Sequence, residues 1–245
     1  MKYLIDADIV AFKAAAATER PVDWGDGLWT LHAYEEEGLD YVNQYLSSIS
    51  NKLGDGEFAL FLTDKVNWRK EVLPTYKMNR KDVRKPLLLS YLRKWMREER
   101  GAIIVPTLEA DDILGITATS EPDCIIVSED KDLKTIPALV FNPAKDDKPR
   151  LISEFEAAYN HMYQTLIGDK TDNFDGCPTI GPVTATKILE PAKIIADLWP
   201  LVVEAYAKKN LSEMVALQQA RVARICHASD WDFINKKVIP WNPIT

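Results

Sequence analysis

The feature that most constrains the fold of this chain is a recurring short apolar run that ends in an acidic residue. The runs are KYLID at residues 2–6, FALFLTD at 58–64 and CIIVSED at 124–130. Each run is too short for a helix and lacks strict alternation of apolar and polar residues, which is typical of a strand buried on both faces of a parallel sheet. The pattern therefore predicts a parallel sheet whose strands each deliver an acid to the same edge.

Helical patterns separate these predicted strands. Residues 34–53 and 87–100 have helical periodicity, and AIIV at 102–105 is predicted to form another strand. Alternation of strands and helices indicates the α/β class, with a central, mostly parallel sheet flanked by helices. We expect this α/β unit to cover residues 1–150.

The remainder, residues 151–245, is predicted to be mostly helical. Its helical periodicity is broken by a turn-rich segment, and the aromatic tail is expected to pack as an extended strand or strap. The predicted helices are 154–167, 192–208 and 212–227, the turn-rich segment is 168–182, and the tail is 231–245.

The charge of the chain is unevenly distributed. The formal net charge is −7, yet residues 69–100 carry eleven Lys and Arg against four acids. A charge run of this kind is often a solvated helix face. The alternative is a basic surface for phosphate groups beside an acidic pocket that needs cations to work.

Nine carboxylates follow predicted strands or stand where helices or turns begin. Clustered carboxylates repel one another unless a multivalent cation neutralises them, and oxygen ligands without His or Cys indicate Mg²⁺, with Mn²⁺ as a substitute. Two such ions suit hydrolysis of a phosphodiester bond. With 37 acids in the chain, however, single pairs also arise by chance, as helix caps or in turns. The candidates are Asp6, Asp64, Glu109, Asp111, Asp112, Asp130, Asp132, Asp169 and Asp172.

The order of these motifs resembles that of the 5′ nuclease family, which includes flap endonucleases and the 5′ nuclease domain of bacterial DNA polymerase I. The shared motifs are Asp6, Asp64, EADD at 109–112, DKD at 130–132 and GDKTDN at 168–173, in family order. The resemblance implies the PIN-like nuclease fold and two or more Mg²⁺ ions. It assigns the earlier acids to the first ion and the DKD and GDxxD acids to the second.

The basic segment matches further family features. Residues 65–100 resemble the helical arch associated with the 5′ strand, and Lys77 and Arg80 match the YKxxR residues that contact the scissile phosphate. Tyr76 and Lys81 accompany them as DNA-binding candidates. Phe12 stands where the family often has an aromatic that stacks on a base, although a core position on the first helix explains it equally well.

A second DNA element is suggested by GCPTIGPVTATKIL at 176–189, within residues 168–190. It resembles the helix-hairpin-helix of the family, with Gly176 and Gly181 permitting close approach of a duplex backbone. Pro178, Thr179 and Val183 depart from the usual pattern, and a purely structural turn also explains both glycines.

A narrower likeness is to the 5′→3′ exonucleases of short-tailed, T-odd-type bacteriophages. It is carried by TDKVNWRKE, YKMNRK, QARVARI and WDFINKKVIPW and extends over nearly the whole chain. It implies action on DNA with 5′ ends, flaps or RNA primers during phage DNA replication, with replication proteins as the natural partners. No apolar run approaches the roughly 20 residues of a membrane span, so we expect a protein of the host cytoplasm.

Three other functions are compatible with parts of the sequence. DADIV at 6–10 fits the nucleophile motif of haloacid-dehalogenase-type phosphatases, in which Asp6 would attack phosphate and Asp8 would act as acid and base. A non-catalytic DNA-structure-binding protein would need a decayed site, and all family carboxylates are present. A ribonuclease of the same α/β superfamily would share the chemistry.

Overall fold

The computed structural model describes residues 1–121 and 123–243. Its central sheet has the order β4-β1-β5-β6-β7, with the first four strands parallel and β7 antiparallel to β6. The strands are β1 Lys2–Asp6, β4 Glu57–Phe61, β5 Cys124–Val127, β6 Leu139–Phe141 and β7 Arg150–Leu151. The mostly parallel α/β sheet expected from the apolar runs is therefore confirmed.

Alternate residues of the central strands point to opposite faces of the sheet. Tyr3 and Ile5 of β1 belong to one apolar core, whereas Leu4 belongs to the other. The first core packs against α1 (Ala7–Thr18), α2 (Glu35–Leu53) and α4 (Leu89–Glu99), and the second against α5 (Ala110–Ser120). Because both faces are covered, every side chain of the strand interior is apolar, which explains the absence of alternation in the sequence.

The second half packs as a helical layer with its own core. It contains α6 (Glu154–Ile167), α7 (Pro182–Leu189), α8 (Ile195–Ala207) and α9 (Glu213–Ala223). The tail follows with the short antiparallel strands β8 (Trp231–Asp232) and β9 (Lys237–Val238). Trp241 then packs edge-on against Trp199 of α8 and His161 of α6.

Two predictions about strands were incomplete. AIIV at 102–105 forms no full strand within the described residues, because only Ile103 pairs with the sheet, through a bridge to Phe61. The antiparallel hairpin of β2 (Arg20–Asp23) and β3 (Trp29–His32) was missed. Its residues are largely exposed, so no buried apolar pattern marks it.

The segment predicted as a helical arch has α-helix only near its ends, with one short 3₁₀ turn between them. It begins with α3 (Arg69–Val72) and ends with α4, and the 3₁₀ turn Met78–Arg80 is the helical structure assigned between residues 73 and 88 of the described chain. An arch around a DNA strand therefore stays a prediction. Among the described residues, no helix is both long and apolar enough to cross a bilayer.

Candidate metal centre and nucleic-acid interface

The centre of the site is Asp6, at the carboxyl end of β1. Its side chain caps α1 by accepting hydrogen bonds from the backbone N–H groups of Asp8 (3.1 Å) and Ile9 (3.2 Å). Ser128, just beyond β5, donates to its other oxygen at 3.4 Å. Burial, together with repulsion from Asp130, raises the pKa of Asp6 to about 7. The fold thus holds a carboxylate where its negative charge is costly.

Asp130 and Asp132 follow the neighbouring strand β5. Asp130 begins the 3₁₀ turn Lys131–Thr135 and accepts a hydrogen bond from the N–H of Asp132 at 2.8 Å. Gln164 of α6 donates to Asp132 at 2.6 Å. Burial and the charge of Asp130 raise the pKa of Asp132 to about 7, and Asp169 and Asp172 contribute in the same direction. The DKD and GDxxD motifs therefore share one electrostatic environment.

Asp111 lies at the start of α5 and faces the same carboxylates. Burial raises its pKa well above the ordinary value, and Asp6, Asp130 and Glu109 add repulsion. Its Oδ1 is buried and has no hydrogen-bond partner among the residues that the structure describes. A buried carboxylate oxygen without a donor is costly, and a cation is the partner that would satisfy it.

Basic side chains cover the remaining acids of the site. Lys77 forms ion pairs with Glu109 and with Asp172, the latter at 3.5 Å, and Arg80 pairs with Asp172. The hydroxyl of Tyr76 lies 2.9 Å from a carboxylate oxygen of Glu109 and 2.9 Å from one of Asp172, and it can donate to one of them at a time. Burial alone would raise the pKa of Glu109, but Arg69 and Lys77 outweigh it and hold that pKa below its ordinary value.

Asp112 forms a buried ion pair with Arg69. Arg69 binds both of its oxygens, at 2.7 and 2.8 Å, and Trp68 and the N–H of Cys226 donate to it at 3.1 Å. The side chain of Asp112 is fully buried, and these donors, with the N–H of Glu109, occupy both oxygens. The metal-ligand assignment of Asp112 is therefore corrected: it fixes the start of α5.

Comparison with known proteins places the whole chain in a family. Residues 1–144 match the protein-family model of the 5′-3′ exonuclease N-terminal, resolvase-like domain. The exodeoxyribonuclease of Enterobacteria phage T3 is 30% identical, with 98% of this chain and 92% of the relative covered. The chain belongs to the 5′-3′ exonuclease family. The resemblance inferred from the order of the acidic motifs is confirmed.

One further relative and two solved structures resemble this member of the 5′-3′ exonuclease family. The exonuclease of Escherichia phage T7 is 29% identical, covering 98% of this chain and 93% of its own. The fold is shared with the T5 D15 protein crystallised with metal ions, at a TM-score of 0.64 and 13% identity over 91% of this chain and 88% of that one. It is also shared with the catalytic core of Rad2 in complex with DNA, at a TM-score of 0.51 and 12% identity over 90% and 71%.

The remaining acids of the family motif occupy different surroundings. Asp169 accepts hydrogen bonds from the N–H groups of Thr171 (2.7 Å) and Asp172 (3.3 Å) and lies close enough to Asp132 to raise its pKa. Asp64 instead accepts from the N–H of Thr107 at 2.9 Å. Backbone N–H groups, first that of Thr107, hold the pKa of Asp64 below its ordinary value. The pKa values of Asp6, Asp111 and Asp132 are instead raised by burial and by neighbouring acids, so we leave Asp64 outside the proposed ligand set.

The DNA-binding candidates also separate into two groups. Phe12 is 52% exposed, which excludes the core explanation, and Lys81 is exposed as well. Tyr76 is 2% exposed, so the prediction of a direct DNA contact is corrected. Its hydroxyl bridges two acids, and its ring lies beneath Arg69 and Lys77, 5.8 and 5.1 Å from their charged groups.

The two candidate glycines have different environments. Gly176 has a φ of 66°, and a Cβ there would lie 2.3 Å from the backbone N of Gly168. Its close approach is therefore to its own chain, which corrects its assignment to DNA. Gly181 is exposed at the N-terminus of α7, with open space where a Cβ would point. It keeps the geometry of a phosphate-binding position.

We expect Gly176→Ala to destabilise the protein by more than about 1 kcal/mol, because a left-handed backbone and a steric clash act together. Gly181→Ala is the matched control and should leave the unfolding midpoint nearly unchanged. Chemical denaturation of both variants measures the difference. Equal unfolding midpoints for the two variants would show that the backbones at Gly168 and Gly176 are not tightly packed against each other.

Sequence reasoning missed the role of Arg69. It was counted within the basic surface, yet its side chain is 3% exposed and contacts Asp112, Glu109 and the carbonyl of Val222. The available signal was its position between apolar residues, Trp68 before it and Val72 three residues after it.

The alternative phosphatase mechanism is not supported by the geometry. It requires Asp8 to exchange protons with a substrate, but Asp8 is ion-paired with Arg93 and accepts a hydrogen bond from the N–H of Thr63 at 2.8 Å.

Within residues 1–121 and 123–243, no three His, Cys, Asp or Glu side chains already stand in a metal-binding arrangement. Lys77 and Arg80 currently pair with two of the acids that such an arrangement would need.

Proposed function

We propose that this 5′-3′ exonuclease family member is a Mg²⁺-dependent 5′→3′ exonuclease and flap endonuclease that hydrolyses DNA, and RNA primers, near 5′ ends. The observation that carries the metal dependence is the group of buried, mutually repelling carboxylates around the unpartnered Oδ1 of Asp111. Two relatives are exonucleases of phages T3 and T7. We therefore propose that the protein acts in phage DNA replication in the host cytoplasm, with replication proteins as partners.

Two or more Mg²⁺ ions, or Mn²⁺ in their place, would supply an activated water and neutralise charge on the scissile phosphate. The residues that would hold them are Asp6, Glu109, Asp111, Asp130, Asp132, Asp169 and Asp172. Oxygen-only ligands suit these hard cations. Asp112 would act indirectly, by keeping Glu109 and Asp111 at the start of α5.

Lys77 and Arg80 border this cluster and would contact the reacting phosphate. Burial alone would lower the pKa of Lys77, but Glu109 and Asp172 outweigh it and raise that pKa, so the lysine remains charged. A fixed positive charge beside the cluster stabilises the negative charge that increases as the phosphodiester bond breaks. Phe12 would stack on an unpaired base, and Gly181 with the start of α7 would hold the duplex backbone.

Lys77→Ala is expected to lower the single-turnover rate by about 10²-fold and to change DNA affinity by only a few fold, because the charge acts chiefly in the transition state. Exposed Lys52→Ala, on the far end of α2, serves as the control. A loss in affinity equal to the loss in rate would make Lys77 a docking residue.

The proposed activity can be tested with end-labelled flap, nicked, blunt and RNA–DNA hybrid substrates. The purified protein is incubated with each substrate at increasing Mg²⁺, with EDTA and Ca²⁺ as negative conditions, and the cut positions are mapped. Cleavage near 5′ ends that requires Mg²⁺ or Mn²⁺ supports the proposal. Metal-independent cleavage, or cleavage only at 3′ ends, would refute it.

A further inference from the structure

The segment that carries the catalytic lysine is tied to the loop that carries the GDxxDN acids. We call residues 75–80 the lysine segment and residues 169–173 the aspartate loop. The backbone N–H of Lys77 donates to the carbonyl of Asp172 at 2.9 Å, and Arg80 Nε donates to the carbonyl of Thr171 at 3.0 Å. The two pieces are about 95 residues apart in sequence, so tertiary hydrogen bonds define their relative position.

Two asparagines complete this connection from opposite sides. Asn79 Nδ2, on the lysine segment, donates to the carbonyls of Lys170 (2.9 Å) and Thr171 (3.3 Å) in the aspartate loop. Asn173 Nδ2, in the aspartate loop, donates to the carbonyl of Thr75 at 2.6 Å. Each side chain satisfies backbone carbonyls of the other piece, and neither has a place in the chemistry proposed above.

The backbone of Lys77 shows why such a connection is needed. Its φ and ψ of 55° and 19° lie in the left-handed region, which a lysine adopts only at a cost. A residue keeps such a conformation where the surrounding structure fixes it. Hydrogen bonds at Thr75, Lys77 and Asn79 fix it from both sides, and the resulting turn directs the side chain toward Glu109 and Asp172.

The aspartate loop is closed by its own backbone hydrogen bonds. Asp169 and Phe174 exchange two backbone hydrogen bonds, at 2.9 and 3.1 Å, and Phe174 is buried. The chain then continues through Gly176, whose backbone packs closely against that of Gly168, to Gly181 and the start of α7. A short segment with buried Cys177 and Ile180 therefore connects the loop to the proposed duplex-binding end of α7.

We propose that Asn79 and Asn173 are positioning residues that form a reciprocal amide clamp between the lysine segment and the aspartate loop. The clamp holds Lys77 in its left-handed conformation and sets its distance from the scissile phosphate of a duplex held at α7. This inference rests on the proposed function, since it concerns how the catalytic lysine is placed.

The clamp can be tested with variants that remove the amides alone. Asn79→Ala deletes one donor. Asn173→Gly deletes the other, and glycine still permits its φ of 59°. Asn210→Gly is the matched control, because Asn210 also has a positive φ, 57°, but lies in the turn between α8 and α9. We expect each clamp variant to lower the single-turnover rate about tenfold, with DNA affinity within about twofold, and the control to cleave like the wild type.

A double-mutant cycle with Lys77→Ala separates positioning from general loss of structure. If the asparagines act through Lys77, then adding Asn79→Ala or Asn173→Gly to Lys77→Ala should lower the rate less than about twofold further. A full tenfold further loss in the Lys77→Ala background would overturn the proposal. A clamp variant that cleaves as fast as the wild type would overturn it as well.

Hydrogen exchange measures the clamp without any nuclease assay. Peptides covering residues 73–81 should exchange faster in Asn79→Ala and Asn173→Gly than in the wild type, since the N–H of Lys77 loses its fixed partner, whereas Asn210→Gly should not differ there. If the clamp variants exchange faster but the wild type shows no metal-dependent cleavage, the proposed function is refuted while the structural role of the two asparagines stands. Unchanged exchange would reject the clamp even in an active enzyme.

Discussion

Asp111→Asn is expected to reduce Mg²⁺-dependent cleavage by about 10³-fold or more, corresponding to several kcal/mol of lost transition-state stabilisation. Within residues 1–121 and 123–243, the buried Oδ1 of Asp111 has no hydrogen-bond partner, so a cation is its natural counter-charge. Asparagine keeps the size of the side chain and removes the charge. Single-turnover rates at saturating enzyme measure the loss, and binding to DNA in Ca²⁺ should stay within a few fold.

The same substitution should not destabilise the metal-free protein at neutral pH. The folded-state pKa of Asp111 is raised above the ordinary value of 3.8. Its contribution to stability is therefore complete below about pH 4 and is lost as pH rises toward the folded-state pKa. Asparagine has no proton to lose, so in EDTA the variant should show a smaller decrease in melting temperature between pH 5 and pH 8 than the wild type.

Asp55→Asn provides the control for both measurements, because Asp55 is exposed in the turn between α2 and β4. It should change neither the cleavage rate nor the pH dependence of melting. If Asp111→Asn cleaved DNA at the wild-type rate, the metal centre would have to lie elsewhere. If its metal-free melting temperature fell as steeply with pH as that of the wild type, other carboxylates would account for the repulsion.

The central sheet and its acidic edge could be predicted because they depend on local pattern. A strand buried on both faces must be apolar along its whole length, so KYLID and CIIV are visible without any knowledge of their partners. The residues that follow such strands lie at the ligand-binding edge, which placed Asp6 and Asp130 together. The hairpin of β2 and β3 is exposed, and its residues therefore carry no such signal.

The roles of individual polar residues could not be read in the same way. Asp111 and Asp112 are adjacent in a single EADD motif, yet one has an unpartnered oxygen and the other has both oxygens bound. The difference arises because successive residues at a helix start point in directions about 100° apart. Which direction meets Arg69, and which meets Asp6, depends on tertiary packing. The same reason separates buried Tyr76 from exposed Lys81 in one basic segment.

Arg69→Met is expected to destabilise the protein by about 3–5 kcal/mol, because it leaves the charge of Asp112 buried without its main counter-charge. For a chain of this size that corresponds to a decrease in melting temperature of roughly 6–20 °C. Arg69 binds both oxygens of Asp112 and also the carbonyls of Val222 and Arg224, at 2.9 and 2.5 Å, so it joins α3, α5 and the end of α9.

Lysine should not restore what methionine removes. An ammonium group cannot reproduce the planar, two-bond contact with Asp112 while also reaching two carbonyls, so Arg69→Lys should remain clearly less stable than the wild type. Arg97→Met is the control, since Arg97 is exposed and its ion pair in the described part of the chain is with the adjacent Glu98. Its loss should cost less than about 1 kcal/mol.

Removal of both charges distinguishes a buried ion pair from simple loss of packing. In Arg69→Met with Asp112→Leu, the charge of Asp112 is removed together with that of Arg69, and Glu109 keeps Lys77 as its partner. The double variant should therefore lose less stability than the sum of the two single variants. Strict additivity would mean that Arg69 stabilises the fold through packing of its carbon chain and its carbonyl contacts alone.

Because Asp112 also accepts a hydrogen bond from the N–H of Glu109, Arg69→Met should loosen Glu109 too. Cleavage at temperatures well below melting should therefore fall in Arg69→Met and not in Arg97→Met.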